Sequence, residues 1–295
     1  MAKKIDTRAV GLDVGLAFIR WLTGAENLHY GLWTGLEVTA GNLAAAQDAY
    51  TVKLFGYLPV VQSGGPLRIL DIGGGAGETA RKLLALGHSV EIVVPSAFLA
   101  ARCRVNAPGA VVHECRLEDY AGAGPFDLCL FSESFQYIPL SESLPKCAGL
   151  LAPGGQVLIA DCFRTAAYRG RKAHGVQPGG GHSVTAFRTA VEASPFAIAA
   201  EEDITDAVAP SIDLEQQLFN VLGHGFTRVS DEIQGKRRLV HWALSRLLGL
   251  FLSAKRRRNL MQRLTGTSRS SSAFLTYNRY QIVRLQRKPA QTPTP

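Results

Sequence analysis

The chain has 295 residues, of which 46% are hydrophobic and 19% charged, with a net charge of +8 and a pI near 9.4. This balance excludes a disordered or collagen-like chain, and no run of about 18 apolar residues suggests a membrane span. The basic excess permits anionic partners (nucleic acid, anionic lipid, anionic metabolites) without choosing among them.

Five cysteines occur, Cys103, Cys115, Cys129, Cys147 and Cys162. Their number is odd and none form C-x-x-C, so buried thiols are expected rather than disulfides or a zinc site. Lys3 and Lys4 are not followed by a long apolar h-region. No signal peptide is expected, and the cytoplasm is the default compartment.

In chain order, Val10 to Leu22 is amphipathic and predicts a lid or docking helix. Asn27 to Trp33 reads N-L-H-Y-G-L-W, a packed loop whose Tyr30 and Trp33 either fill core or enclose a ligand. Leu43 to Leu58 predicts a helix carrying Gln47 and Tyr50. The apolar run Leu67 to Ile72 predicts a buried strand, which breaks into glycines before a helix from Gly77 to Leu86. Gly73, Gly75 and Gly77 form G-x-G-x-G, a spacing that lets the backbone turn sharply and approach a ligand closely. Asp71 precedes the first glycine. The turn is shorter than the dinucleotide fingerprint G-x-G-x-x-G, and the P-loop pattern is absent.

Strands over 89–94, 110–114, 126–131 and 156–160 alternate with helices over 97–106 and 142–150, with a turn at 151–155. Such alternation calls for a parallel sheet covered by helices on both faces, with ligands outside the carboxyl ends of the strands. Arg164 to His182 is basic and glycine-rich and predicts a mobile loop near the mouth of a site. Ser183 to Ser194 predicts a helix capped by Ser183, Ala197 to Asp203 a strand, and Leu214 to Leu222 a helix. Within 235–264, Lys236, Arg237, Arg238, Arg246, Lys255, Arg256, Arg257, Arg258 and Arg263 frame an apolar stretch, Leu239 to Leu252, with Trp242 and Phe251. It reads either as a helical hairpin on the sheet with a solvated basic rim, or as a lid facing a hydrophobic substrate or a membrane. Tyr277 to Leu285 predicts a final strand at the sheet edge, and the proline-containing tail from Lys288 predicts disorder.

The run Leu70-Asp71-Ile72-Gly73-Gly74-Gly75-Ala76-Gly77 resembles motif I of class I S-adenosylmethionine-dependent methyltransferases, L-D-[IV]-G-x-G-x-G, and the resemblance extends over roughly residues 27–165. It implies an α/β fold, a Rossmann-like parallel sheet with an antiparallel final strand and a mostly helical cap. The implied division is cap helices over 1–60, a cofactor-binding core over 61–165, a cap and basic insert over 166–275, the last strand over 276–288 and a tail over 289–295. The implied cofactor is S-adenosylmethionine. In the family the glycines pass under its methionine end and sugar, which assigns Asp71, Gly73, Gly75 and Gly77 to the cofactor. The acid that usually grips the ribose is replaced here by Val94, with Ser96 as the nearest substitute. Glu118 and Asp119 stand where an acid commonly accepts the adenine amino group, and Asp119 is favoured.

Phe131 to Pro139 reads F-S-E-S-F-Q-Y-I-P. It resembles the S-x-E-S-x-E-H-[MI]-P stretch of γ-tocopherol methyltransferases and the E-x-F-E-x-[VI] stretch of cyclopropane-fatty-acid synthases. That likeness implies Glu133 as substrate orienter or proton acceptor, with Tyr137 where histidine often stands. The His29–Trp33 element is similar to one that encloses cofactor and substrate in the same group, so Tyr30 and Ser132 are expected at the cofactor. His29 and His182 are the remaining base candidates. No metal is expected.

The acceptor implied is a small molecule, hydrophobic or lipid-like, methylated at carbon or oxygen, with peripheral membrane contact through 236–263. Nucleic acid is disfavoured, since [DNS]-P-P-[YFW], a Pro-Cys pair and an aromatic RNA-binding module are all missing. Two rivals remain. One is a nucleic-acid methyltransferase, on the basic charge; the other is a non-methylating binding protein of the same fold, on Val94.

Overall fold

The computed structural model describes residues 7–60, 64–170, 180–240, 242, 246–247, 253–266 and 269–289. The expected tail from Lys288 lies outside these residues save its first two, as do 171–179 of the expected loop and most of the expected apolar stretch 239–252, with its Phe251. Seven strands form one sheet in the order β3-β2-β1-β4-β5-β7-β6. They are β1 (Arg68–Ile72), β2 (Ser89–Val93), β3 (Val111–His113), β4 (Phe126–Ser132), β5 (Leu151–Arg164), β6 (Phe196–Asp203) and β7 (Asn278–Arg287). The first five are parallel to their neighbours, and β7 runs antiparallel to both β5 and β6.

Two cores follow from strand alternation, which sends successive side chains to opposite faces. Ile69, Leu128, Leu130, Leu158 and Ala160 belong to one core, with α2 (Leu43–Phe55), α3 (Glu78–Ala85) and α4 (Ala97–Asn106). Leu70, Cys129, Phe131, Val157 and Ile159 belong to the other, with α5 (Leu140–Leu150) and α6 (Val184–Ala193). Both faces being buried, the strands read as continuous apolar runs. All five cysteines are free thiols, four of them buried. Ser183 caps α6 by accepting the Ala186 amide at 3.1 Å.

Three elements differ from expectation. The final strand is not at the edge: β7 lies between β5 and β6, and β6 forms the edge. The expected 151–155 turn is absorbed into β5. Leu151 pairs with Phe126, pairing resumes at Gln156 opposite Leu128, and Pro153–Gly155 bulge between them with Gly154 at φ +81°. Finally, the helix expected to stop at Leu222 continues as α8 (Pro210–Lys236). Gly223 is a contact and not a stop: a Cβ there would sit 2.2 Å from the Leu264 carbonyl of α9 (Ala254–Thr265), which packs against α8.

The amino-terminal cap is α1 (Thr7–Thr23), ending at Gly24 with φ +78°. The loop after it is clamped between α2 and α8. Leu32 donates to Ala46 O at 2.8 Å, and the Trp33 indole donates to Ser211 Oγ at 2.8 Å. Trp33 is therefore core. α7 (Thr205–Val208) leads into α8, and α10 (Ser271–Tyr277) leads into β7.

An interior β7 makes a testable difference. Ile282, fully buried on β7, should cost about 2–5 kcal/mol when cut to Ala, read from denaturant midpoints. Amides of residues 280–285 should exchange only on global unfolding, while the outer amides of β6 exchange faster. Rapid exchange along β7 would return it to the edge.

Candidate active site

A cleft of about 570 Å³ opens at the carboxyl ends of β1, β2 and β4. β1 and β4 are where the strand order reverses, the crevice at which open α/β sheets bind ligands. Its floor is the glycine turn. Gly73, Gly75 and Gly77 have φ of +74°, +56° and +91°, the left-handed region that favours glycine. Their duties differ. Gly73 is packed, since a Cβ would lie 2.4 Å from Ser134 Cβ, and its amide donates to Val93 O at 2.7 Å. Gly77 lies outside the cleft wall, and a Cβ there would sit 3.0 Å from Cys103 Cα, so it lets α3 start close against α4. Gly75 faces open space, with Leu28 Cδ1 nearest at 3.7 Å, so a ligand can lie against its backbone.

Beneath the turn Asp71 is buried, and neither carboxylate oxygen has a hydrogen-bond partner. Burial alone raises it to about 7. An unpaired buried carboxylate is costly unless something cationic or donating meets it. Val94 is buried in the wall beside Pro95 and Ser96, so the usual acid position is apolar. Ser96 reaches the cleft while capping α4 through the Leu99 amide at 3.3 Å. Glu118 lines the cleft and Asp119 does not. Asp119 is instead paired with Arg116, whose Nε lies 3.1 Å from its carboxylate.

The third wall is the end of β4. Glu133 holds φ +57°, unusual for a non-glycine residue. Its Oε1 accepts the Tyr30 amide at 2.7 Å and the Tyr280 hydroxyl at 3.0 Å. Tyr280 in turn meets Tyr50 at 2.8 Å, and Tyr50 meets Ser132 Oγ at 3.2 Å. Desolvation raises Glu133 to about 8, against the lowering effect of its two donors. Burial pushes both tyrosine hydroxyls well above their ordinary range. Asp161, raised to about 7 by burial, accepts the Gln136 amide at 2.9 Å and so holds the turn Phe135–Tyr137 in place.

His29 lines the cleft and stacks on Tyr50, ring centroids 4.4 Å apart. Its Nδ1 donates to the Tyr30 carbonyl at 2.9 Å, which leaves Nε2 as a buried acceptor with no partner. Desolvation lowers it to about 4, so it is neutral. Tyr137 stands at the rim, 72% exposed.

Two expected site residues lie elsewhere. The Tyr30 ring packs edge-on against Phe274 and Tyr280 behind the cleft, and only its amide serves the site. His182 donates to the carbonyls of Ile138 and Phe135 at 2.9 and 3.2 Å and braces the rim from outside. Residues missed in the sequence are Tyr50, Tyr280 and Asp161, together with Glu26, a cleft residue fixed by Arg102 Nε at 2.8 Å. Among the described residues, no group of three or more His, Cys, Asp or Glu could hold a metal ion.

Residues 70–159 match the family model of a methyltransferase domain. A ubiquinone biosynthesis O-methyltransferase of Caulobacter sp. (strain K31) is 36% identical over 109 residues, which are 34% of this chain and 42% of that protein. The chain thus spans less than half the length of the curated relative it matches. A cyclopropane synthase from Mycobacterium tuberculosis superposes with a TM-score of 0.65 at 16% identity, over 94% of this chain and 95% of that one. Geranyl diphosphate C-methyltransferase from Streptomyces coelicolor A3(2), solved with S-adenosyl-L-homocysteine, gives 0.62 at 15% over 92% of each chain. The architecture is that of the class I methyltransferases.

The buried acids make stability depend on pH. Asp71, Asp161 and Glu133 hold protons when folded that the unfolded chain releases near pH 4. Their contribution is complete below that range and is lost as pH rises through 7 and 8. His29 opposes this only below its ordinary 6.5, where the unfolded chain takes up the proton it refuses. Denaturant midpoints of the ligand-free protein should therefore fall from pH 6.5 to 8.5, by about 2 kcal/mol. Asp71→Asn should flatten the slope; a flat wild-type profile would show these acids ionised.

Proposed function

We propose that the protein transfers a methyl group from S-adenosylmethionine to a small hydrophobic or lipid-like acceptor, at carbon or oxygen. The observation that carries this reading is Asp71: buried, unpartnered and set beneath an open glycine turn at the switch point of a methyltransferase-type sheet. A cationic, hydroxyl-rich ligand fits it. Asp71, Gly73 and Gly75 would hold the methionine end and sugar, while Gly77 sets the start of α3. Glu118 and Ser96 are the polar groups left to meet the nucleoside where Val94 replaces the acid. S-adenosylmethionine supplies a methyl group activated by its sulfonium.

Such chemistry needs alignment, exclusion of water and, for a protic nucleophile, removal of a proton. Leu12, Leu28, Leu99 and Ile138 line the cleft with apolar surface that excludes water and suits an apolar acceptor. Glu133 and His29 are the groups able to take a proton. Burial raises Glu133 and lowers His29, so a proton is held more readily on Glu133. Glu133 is the proton acceptor, and a cation in the same cleft draws it toward its ionised form. His29 Nε2 orients the acceptor as a neutral hydrogen-bond acceptor. Ser132 and Tyr137 flank the acceptor on the β4 side. Peripheral membrane contact through the basic stretch 236–263 belongs to the same reading.

Titration calorimetry with S-adenosylmethionine and S-adenosylhomocysteine tests the core of it: both should bind, and no heat at millimolar ligand would sink the proposal. Gly75→Leu should abolish that binding while shifting the melting temperature only a few degrees, since its Cβ meets no backbone; retained affinity would place the ligand elsewhere.

Glu133→Gln keeps the shape and removes the base. With labelled cofactor and a lipid extract as acceptor source, turnover should drop about 100-fold or more while cofactor affinity changes little. Equal losses in both would make Glu133 a support for the pocket.

A further inference from the structure

We infer that the outer face of α8, with the basic chain that follows it, is a docking surface for anionic lipid. Nine of the twenty large apolar side chains exposed among the described residues fall between residues 221 and 260. On α8 they are Val221, Leu222, Phe226 and Val229, each 53–69% exposed. At 3.6 residues per turn these four occupy an arc of about 140°. That arc is not the face that packs on α9, which is marked by Gly223 against the Leu264 carbonyl and by Gln216 donating to Arg263 O at 3.0 Å. Leaving so much apolar surface in water on one element is unusual for a monomeric protein.

Charge selects the occupant. Residues 221–263 contain ten Lys and Arg against two acids, a net +8 that equals the net charge of the whole chain, so the remainder is neutral. Arg256, Arg257 and Arg258 on α9 are exposed and form no ion pair with the described residues. Arg246 lies over the exposed Trp242 ring at 5.5 Å, an amphipathic pair of the kind that settles at a headgroup boundary. Nucleic acid would take the charge but leave the apolar arc uncovered, and a second copy would bring +8 against +8. An anionic bilayer accepts both the apolar stripe and the arginines.

The surface is also tied to the cleft. Ser211, in the first turn of α8, holds the Gly31 amide and the Trp33 indole, and Val221 follows it by about 15 Å along the helix. Only the purpose of this link, delivery of acceptor from the membrane, rests on the lipid-like acceptor proposed above.

Sedimentation of the full chain without cofactor tests the surface, using vesicles of phosphatidylcholine alone and with about one-third phosphatidylserine. Binding should be at least about tenfold stronger to the anionic vesicles and weaken in high salt. F226E/V229E and R256E/R258E should each reduce it about tenfold or more, while V60E, an equally exposed change elsewhere, should leave it intact. No pelleting with anionic vesicles, or pelleting indifferent to both pairs of substitutions, overturns the inference. So does a wild-type dimer that F226E/V229E dissociates, which would mean that a second copy covers the face. Lost vesicle binding with intact cofactor calorimetry leaves the methyl-transfer reading standing, and the converse leaves this one.

Discussion

Glu133 Oε1 is where three remote parts of the chain meet: the amide of Tyr30, the end of β4 and the hydroxyl of Tyr280. The left-handed backbone at Glu133 costs a non-glycine residue roughly 1 kcal/mol and turns its side chain out of the strand's alternation into the cleft. Two donors on one oxygen anchor the carboxyl and leave the other oxygen for chemistry. The cap loop and β7 share this carboxyl, and Tyr280 is set by the place of β7 between β5 and β6. A single carboxyl group therefore makes the site depend on the last strand of the chain. The Tyr280–Tyr50–Ser132 chain continues the junction to the His29 ring, so cap, sheet and reactive end are fixed together.

The parallel half of the sheet was legible because each strand is an apolar run buried on both faces and the glycine turn interrupts one of them. What failed to be legible had no local signature. Tyr280 lies 147 residues from Glu133, and nothing at 280 distinguishes a tyrosine that braces a carboxyl from one that fills core. Adjacent acids in the turn after β3 differ only in backbone phase, and the pairing of Asp119 with Arg116 has no signature in the sequence. The final strand was expected at the edge, yet its residues Tyr280–Val283 are continuously buried, because β6 pairs on its outer side. The helix was expected to end at Leu222, but Gly223 marks the close approach to α9 and not an end.

The chain separates its charges. Its positive excess sits beyond residue 220, whereas five acids line the cleft: Glu26, Asp71, Glu78, Glu118 and Glu133. Glu26 is paired with Arg102 and Arg20 and Glu78 with Arg81, while Asp71 and Glu133 are in no ion pair among the described residues. A cation entering the cleft is met by acids it can draw into their ionised form, and an anion is not. That polarity is the opposite of what a nucleic-acid site needs, and it places the basic segment in a role separate from the cleft.

Val94 is an apolar member of the cleft wall, buried just past β2, whose last two residues pair with Asp71 and Ile72 of β1. Burial already makes the charged forms of Asp71 and Glu133 expensive. An apolar residue at 94 adds no further carboxylate to that wall. On the proposed function, the ribose hydroxyls are then met from the cleft's other polar groups, Ser96 at the head of α4 and Glu118 after β3. The glycine turn is conventional, and on the proposed function the polar partners of the sugar shift from the end of β2 to the head of α4 and the turn after β3.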